Sequence, residues 1–343
     1  MDLETSYREI RHRIDRLDFD RLWPGFHDMH FAVYDAEACC LDGKMLPRPE
    51  SFCANTAVRF EGRYLAVWHL DREPEDMDLL AAKLVHEMFH AYQMTCGESR
   101  FPDEMAVLRQ YCYHPENLSG KLAEARLLAS ALTQNAPEDF SRFLRMRKAR
   151  LSRFPAECTY ESQIEQIEGS ATYVELCALG ALCPDRKAQL WRQLLSRIQA
   201  PEAYLPVRVV SYDVGAAILA CLQRFSGMDF AADSQVPFSI AMLDGVPPAR
   251  SYPSTSDQIV SLVRDYGQRT DEILASARRK NRCVLEGCYP LVCVNIWDAR
   301  RSGNAIVSNG FVSYRDPETT RTLSGDFVLE TDGQGNILRA LRQ

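Results

Sequence analysis

Two histidines and a glutamate in one short segment have the types and the spacing that could hold and use a metal ion. The segment reads His86-Glu87-Met88-Phe89-His90. Residues four positions apart project from the same face of an α-helix, so His86 and His90 can offer two imidazole nitrogens to one cation. Glu87 follows the first histidine and can reach a water molecule on that cation. The segment therefore predicts metal-assisted chemistry, on condition that it is helical.

The flanking sequence predicts the helix that this spacing requires. Pro74 suits a first helical turn, and the acidic Glu75, Asp76 and Asp78 suit the positive N-terminal end of a helix. Gly97 is a stop signal for the C-terminal end. An HExxH segment on a helix is the signature of zinc metallopeptidases, in which the glutamate acts as general base.

A later helix offers the further ligand that such a site needs. Catalytic zinc usually takes three protein ligands and leaves one position for water. Gly169 lies inside this predicted helix, where a glycine costs about 1 kcal/mol relative to alanine and often marks the close approach of another element. An acidic stripe that only faces solvent is the alternative interpretation of the helix. Four of its glutamates fall on one face at helical spacing: Glu161, Glu165, Glu168 and Glu175.

This later helix resembles the EG-x-A-x-Y helix of the gluzincin zinc metallopeptidases, since it reads Glu168-Gly169-Ser170-Ala171-Thr172-Tyr173-Val174-Glu175. In that family the HExxH segment supplies two histidine ligands, and a glutamate on the later helix supplies the third. The resemblance implies one Zn²⁺ per chain, held by His86, His90 and Glu168, with Glu87 as the general base. A third stretch is similar to a helix start seen in some members: Tyr212-Asp213-Val214-Gly215-Ala216-Ala217.

The resemblance also implies what the site does. We expect a hydrolase that cleaves peptide bonds of a peptide or protein substrate with a zinc-activated water. The oxyanion needs a donor besides zinc, and Tyr212 is the first choice, with Tyr173 the second. Glu161 or Glu165 is expected to hydrogen-bond a ligating imidazole. Residues 64–70 are the candidate strand that would hold an extended peptide by backbone pairing.

Two rival hypotheses about function stay open. The first is a catalytically inactive, peptidase-like scaffold that keeps zinc and acts as a binding or regulatory protein, although the presence of Glu87 argues against simple inactivation. The second is a structural protein without metal, in which the acidic stripe is solvated. Metal content separates the second from the first and from the enzyme, and the activity of a Glu87→Gln variant separates an enzyme from a scaffold.

Composition narrows the class of protein. The chain has 343 residues, of which 46% are hydrophobic and 25% charged, as is ordinary for a globular protein. Its net charge of −7 argues against nucleic acid as the main partner. The polar N-terminus shows no signal-peptide pattern, and no apolar run is long enough to span a bilayer. Twelve cysteines without a framework of spacings predict reduced thiols, hence a cytoplasmic protein.

The pattern of elements predicts an α+β protein that is predominantly helical. We expect an N-terminal helix and small β-sheet over 1–73 that pack on the core, and a helical, metallopeptidase-like catalytic core over 74–280. A small antiparallel β domain is expected over 281–343, where alternating strands replace helices. The sequence contains no chemistry that we recognise in this last domain.

Three further stretches carry local expectations. The turn Glu61-Gly62-Arg63 predicts a hairpin, and the glycine- and proline-rich segment from Asp42 to Pro49 predicts a loop. The basic helix from Phe140 to Phe154 predicts a solvated face that lies near the acidic helix.

Overall fold

The computed structural model describes residues 2–71, 75–227 and 235–343, and it is an α+β structure with mostly helical content. Pro74, which the sequence predicts in the first turn of the HExxH helix, lies outside these residues. The α-helices are α1 Leu3–Ile14, α2 Phe19–Leu22, α3 Met77–Thr95, α4 Glu104–Gln110, α5 Pro115–Gln134, α6 Pro137–Arg153, α7 Pro155–Ile164, α8 Ser170–Leu182, α9 Pro184–Arg197, α10 Val207–Phe225, α11 Phe238–Ala241 and α12 Asp257–Lys280. A π-helical turn, Glu165–Gly169, joins α7 to α8, and a 3₁₀ turn, Pro201–Tyr204, precedes α10.

The strands form two sheets, one near each end of the chain. The N-terminal sheet contains β1 Phe31–Tyr34, β2 Ala38–Leu41, β3 Lys44–Pro47, β4 Thr56–Phe60 and β5 Arg63–His69. The C-terminal sheet contains β6 Cys283–Val294, β7 Arg300–Ser302, β8 Ala305–Ser308, β9 Phe311–Asp316, β10 Thr319–Ser324, β11 Phe327–Thr331 and β12 Asn336–Arg342.

The N-terminal sheet has the strand order β3-β2-β1-β5-β4. The predicted hairpin is confirmed, because Glu61 and Gly62 both adopt positive φ between β4 and β5. The predicted loop from Asp42 to Pro49 is wrong, because Asp42 and Gly43 also adopt positive φ and close a β2–β3 hairpin. Two consecutive positive φ values give the tight turn that suits the twist of paired strands.

The order of strands also corrects the candidate for peptide capture. β5 contains most of 64–70, and it pairs with β1 on one side and β4 on the other. The backbone N–H and C=O groups of β5 therefore pair with a strand on each side, and β5 is not an edge strand to which another chain could add. β4 is the strand at the edge of the sheet on this side.

Helix α3 carries the HExxH segment and begins and ends at clear signals. The side chain of Asp76 caps the N-terminus by accepting from the backbone N–H of Leu79 at 2.9 Å. Gly97 follows the C-terminus with a φ of +73°, a conformation that glycine adopts without strain. The helix lies in contact with α1, α8 and β5, and Val85, Met88 and Phe89 are buried. The apolar side of α3 thus fixes the direction in which its histidines point.

The N-terminal sheet and the helices share one hydrophobic core. Buried residues of α1, β1, β5, α3, α5, α8 and α10 belong to one contiguous cluster. The C-terminal sheet has the order β10-β9-β6-β12-β11-β8-β7 and builds separate clusters. Leu274 and Ala277 of α12 pack on one side of it, and Met105 and Leu108 of α4 pack against the other cluster.

A buried cluster of six charged residues lies between α5, α6 and the α7–π segment. Arg147 donates two hydrogen bonds of 2.9 Å to the two carboxylate oxygens of Glu165. Arg150 and Lys121 donate to Glu161 at 2.8 and 2.9 Å. Three cations balance three anions in the set Lys121, Glu124, Arg147, Arg150, Glu161 and Glu165, all of them buried.

The expected solvated basic face of α6 is present at Arg142 and Arg145, which are exposed, but two other arginines of the helix are buried in the charge cluster. Arg147 and Arg150 of α6 are 1% and 0% exposed. They tie α6 to the acidic helix from inside the protein, because Glu124 of α5 accepts from Nε of both arginines at 2.8 Å. The cluster therefore anchors the segment that leads into the π turn.

No helix among the residues described is both long and apolar enough to cross a membrane.

Candidate metal centre

The three predicted metal ligands meet at one point beneath a cleft. Nε2 of His86 lies 3.2 Å from Nε2 of His90. Oε2 of Glu168 lies 3.7 and 3.3 Å from the same two nitrogens. Ligand atoms held tetrahedrally about 2.0–2.2 Å from one zinc ion lie about 3.3–3.6 Å from each other. The donor set and its spacing therefore fit a zinc ion.

The π turn brings Glu168 to this point. A π turn is rare and usually occurs as a single widened turn within a longer helix, frequently at a functional site. Here it covers Glu165–Gly169, between α7 and α8. Glu165 at its start points to Arg147 in the charge cluster, whereas Glu168 points to the histidines. The two glutamates are three residues apart and serve different sets of partners.

Gly169 permits the close packing that holds this turn, as its position in the sequence predicts. A Cβ atom added at Gly169 would lie 2.7 Å from Cα of Gly215 on α10. One added at Gly215 would lie 2.8 Å from the carbonyl oxygen of Glu165. Side chains at these positions are excluded by backbone, so α10 and the π turn touch directly.

Hydrogen bonds set the tautomer of each histidine. Nδ1 of His86 lies 3.1 Å from Oε2 of Glu175. A carboxylate only accepts, so Nδ1 of His86 donates, which leaves the Nε2 lone pair of a neutral imidazole for a cation. Glu175 thus takes the role that the sequence suggested for Glu161 or Glu165. That suggestion is wrong, because both of those carboxylates belong to the charge cluster.

His90 is oriented in the same way by an amide. Its Nδ1 lies 2.8 Å from Oε1 of Gln93. The orientation of the Gln93 side-chain amide is fixed, because its Nε2 donates to the carbonyl of Ile167 at 3.2 Å and to Oγ of Ser170 at 3.1 Å. Gln93 therefore fixes the ring of His90 and also ties α3 to the π turn.

The carboxylates around the imidazoles favour a cation at this site, and they outweigh the effect of burial. Burial alone would lower the pKa of His86, but hydrogen bonds to Glu168 and Glu175 raise it to about 10. Burial alone would raise the pKa of Glu168, yet the charge of His90 and the hydrogen bond from His86 hold it well below its usual value. A metal ion takes the place of the proton on the imidazole, so metal binding here competes with protons.

Glu87 lines the same cleft and has the properties of a base. Burial raises its pKa above the usual value of 4.5, while the charges of His86 and His90 act in the opposite direction. A carboxylate with a raised pKa takes a proton more readily than an exposed one.

Two residues of α10, one helical turn apart, line the cleft beside Glu168. Arg208 donates from Nη2 to Oε1 of Glu168 at 3.0 Å, and it also pairs with Glu104 at the start of α4. This leaves Oε2 of Glu168 for the cation. Tyr212 lies under the Arg208 guanidinium, whose carbon is 5.6 Å from the ring centre.

The hydroxyl of Tyr212 is buried, and it makes no hydrogen bond of normal geometry to another residue in the described ranges. Burial raises the pKa of Tyr212, and the charge of Glu168 raises it further. The group therefore stays a neutral donor. Tyr173, the second choice, is placed less well: its hydroxyl donates to Gln223 at 2.5 Å, and it is not among the residues that line the cleft.

The cleft has a volume of about 530 Å³. It is lined by the three candidate ligands and by Glu87. Asn55 and Thr56 line it from the start of the edge strand β4, and Trp297 lines it from the C-terminal sheet.

A second group of possible ligands lies elsewhere: Cys112, His114 and Glu157 have ligand atoms within 4.8 Å of each other. Here the side chain of His114 is 53% exposed, and its Nε2 lies 3.8 Å from the carboxylate of Glu157. At the HExxH site both histidine side chains are 12% exposed, and each has an orienting partner. The first site is therefore the better organised of the two.

The structure gives a role at the site to four residues for which the sequence predicted none. Glu175 could have been found, because it lies seven residues after Glu168, two turns along one face. Gln93 lies three residues after His90, at the spacing of a neighbour on the helix. The positions of Arg208 and Trp297 follow from tertiary packing alone.

Comparison of the chain with protein-family models, with curated proteins and with solved structures finds no match.

Proposed function

We propose that the protein is a zinc-dependent hydrolase that cleaves peptide bonds, with a gluzincin-like ligand set of His86, His90 and Glu168. The observation that carries the proposal is the convergence of Nε2, Nε2 and a carboxylate oxygen at tetrahedral spacing, with each imidazole oriented by a hydrogen bond on its other nitrogen. Zinc bound there would lower the pKa of a water molecule and polarise the substrate carbonyl.

Peptide hydrolysis also needs a base and an oxyanion donor, and Glu87 and Tyr212 line the cleft together with the proposed ligands. Glu87 accepts the proton of the attacking water and passes it to the leaving amine. Tyr212 donates a hydrogen bond from its hydroxyl to the oxyanion that develops on the substrate. Arg208 holds Glu168 in place and keeps the local charge balanced.

The free edge of β4 supports a peptide as the substrate. An extended chain can add to an exposed sheet edge through backbone hydrogen bonds. β4 lies at such an edge, and Thr56 at its start lines the cleft. We propose that β4, in place of the 64–70 strand, holds the substrate backbone beside Glu87.

We also propose that the protein works in a reducing compartment such as the cytoplasm. All twelve cysteines are free thiols, which is usual for proteins of such compartments.

The test is zinc content and turnover of matched variants. Purified protein is expected to bind one equivalent of zinc, which His86→Ala loses. His114→Ala is the control, because it alters a histidine in the alternative group and leaves the proposed site intact. Zinc that is lost in His114→Ala and kept in His86→Ala would assign the metal to the other group and overturn the proposal.

Turnover separates an enzyme from an inactive scaffold. Glu87→Gln is expected to keep zinc and to reduce peptide hydrolysis by about 10²- to 10⁴-fold, the usual contribution of a general base. Zinc-loaded parent protein that cleaves no member of a broad peptide library would favour the scaffold.

A further inference from the structure

The C-terminal sheet contributes an aromatic side chain to the cleft. Trp297 lies in the turn between β6 and β7 and lines the cleft. Its ring meets that of Tyr212 edge-on, with centres 5.3 Å apart and planes at 61°. The Arg208 guanidinium lies 6.0 Å from the Trp297 ring centre. Trp297 thus touches both residues of α10 that stand beside Glu168.

Trp297 remains half exposed despite these contacts. It is 50% exposed, and Phe101, in the segment between α3 and α4, is 40% exposed. These are the exposed phenylalanine and tryptophan residues of the described ranges, and both line this one cleft. Single exposed apolar residues need no explanation, but two large exposed rings that line one cleft point to a site for an apolar group of a ligand.

The turn that carries Trp297 is fixed by packing. Val294 before it and Ala299 after it are buried in the C-terminal core. Arg300 stacks on Tyr266 of α12 with its guanidinium carbon 4.8 Å from the ring centre. The backbone N–H of Trp297 donates to Oδ1 of Asn295 at 3.3 Å. The ring is therefore presented by an ordered turn.

Charged and aromatic side chains both line the cleft. Glu87, Glu168 and Arg208 are among the charged ones, and the peptide group must react beside them. Aromatic rings present large apolar faces and pack well with other rings in edge-on or offset arrangements. The exposed rings therefore suit an apolar side chain next to the reacting bond.

We propose that Trp297 and Phe101 form a subsite for an aromatic or large aliphatic side chain next to the scissile bond. The C-terminal β domain then selects the substrate by supplying Trp297. This inference rests on the proposed peptidase function, and it names the class of peptide that the enzyme prefers.

The first test maps cleavage sites without a chosen sequence. Zinc-loaded protein is incubated with a peptide library prepared from a whole proteome, and the new termini are identified by mass spectrometry. Phe, Tyr, Trp, Leu and Met are expected to be enriched at one position beside the cut. Cleavage without such enrichment overturns this inference and leaves the peptidase function standing. No cleavage at all overturns the peptidase function, and this inference with it.

The second test assigns the preference to the rings. Two quenched fluorogenic peptides differ only in Phe or Ser at the enriched position, and the parent is expected to prefer Phe by about 10- to 100-fold in kcat/KM. Trp297→Ala and Phe101→Ala should reduce this ratio mainly through KM, whereas Trp297→Phe should retain most of it.

The control is Leu338→Ala, which removes an exposed apolar side chain of the C-terminal sheet outside the cleft. It should leave the ratio unchanged. A ratio that is the same in parent, Trp297→Ala and Phe101→Ala, with zinc and thermal unfolding also unchanged, would show that the rings do not contact substrate.

Discussion

Gly169 and Gly215 touch backbone to backbone, so that a Cβ atom at Gly169 would lie 2.7 Å from Cα of Gly215. This contact fixes the distance between the π turn and α10. Glu168 lies on the first of these elements, and Arg208 and Tyr212 lie on the second. The geometry of the proposed metal site therefore depends on the absence of two side chains.

Alanine at either glycine should destabilise the protein and disturb the site. The added methyl group would meet backbone, which cannot rotate away, and overpacking of this kind typically costs about 1–3 kcal/mol. The better helix propensity of alanine offsets about 1 kcal/mol at most. Urea unfolding should show a net loss for Gly215→Ala, and zinc titration should show weaker binding.

Gly267 provides the matched control for these glycines. It also lies inside a helix, α12, but a Cβ atom there would have no neighbour within 4 Å among the described residues. Gly267→Ala should therefore stabilise the protein by about 0.5–1 kcal/mol. Equal stabilisation by Gly215→Ala would mean that the two backbones do not meet.

The residues that orient the imidazoles should affect metal affinity without touching the metal. Loss of such a partner typically weakens metal binding by about 10- to 100-fold. Glu175→Ala and Gln93→Ala are expected to fall in this range, and Glu168→Ala should lose most zinc binding because it removes a ligand. Competition with a chromophoric chelator measures all three.

The exposed Glu202 of the 3₁₀ turn serves as the comparison in that series, and Glu202→Ala should bind zinc like the parent. If Glu168→Ala also bound zinc like the parent, the third ligand would have to be another group, and Glu175 would be the next residue to test.

Tyr212→Phe should reduce kcat about 10²- to 10³-fold with little change in KM. The hydroxyl would serve the developing oxyanion and not the bound ground state, which is the behaviour of an oxyanion-hole donor. Tyr173→Phe removes a hydroxyl that already donates to Gln223, so it should leave kcat nearly unchanged. A drop in kcat for Tyr173→Phe alone would reverse the assignment.

The buried charge cluster should control stability at low pH. Burial alone would raise the pKa of Glu161, but Arg150 and Lys121 outweigh burial and hold it below its usual value. The unfolded chain then binds more protons than the folded one as the pH falls below about 4.5. The contribution of Glu161 is therefore complete near neutral pH and is lost as the pH falls through the lowered pKa.

Removing one charge of this cluster leaves a buried charge without a partner, which typically costs about 3–5 kcal/mol. Glu161→Gln should lose that much in the free energy of unfolding at pH 7, and its stability should decline less steeply in acid. Arg142 pairs with Asp139 and its own side chain is largely exposed, so Arg142→Gln should change neither quantity measurably. A parent whose stability does not decline between pH 5 and pH 3 would contradict the assignment.

The parts of the site that sequence can predict are those set by local spacing. The i, i+4 histidines lie on α3 as expected, since apolar residues on its other face and a capping aspartate determine the helix. Gly169 marks a close approach, as a glycine inside a helix predicts. Glu168 also lies where the resemblance implies, and zinc titration tests whether it binds metal.

Other features depend on partners that are distant in sequence. The arginines of α6 predict a helix with many charges, but nothing in the periodicity shows that acids from two other helices neutralise them. The sequence predicts both β4 and β5 as strands. Which of them lies at the edge depends on the parallel pairing of β1 with β5, and this pairing is a property of the whole sheet.

The π turn rotates the side chains of α8 about the helix axis relative to those of α7. Successive residues of an α-helix differ by about 100° in direction, so one extra residue in a turn rotates everything that follows. Glu161 and Glu165, before Gly169, accept hydrogen bonds from the buried arginines, and Glu175, after it, accepts one from His86. Deletion of Ile167 from this turn would rotate one half of the helix against the other, so it would separate the two sets of contacts although the glutamates that make them remain.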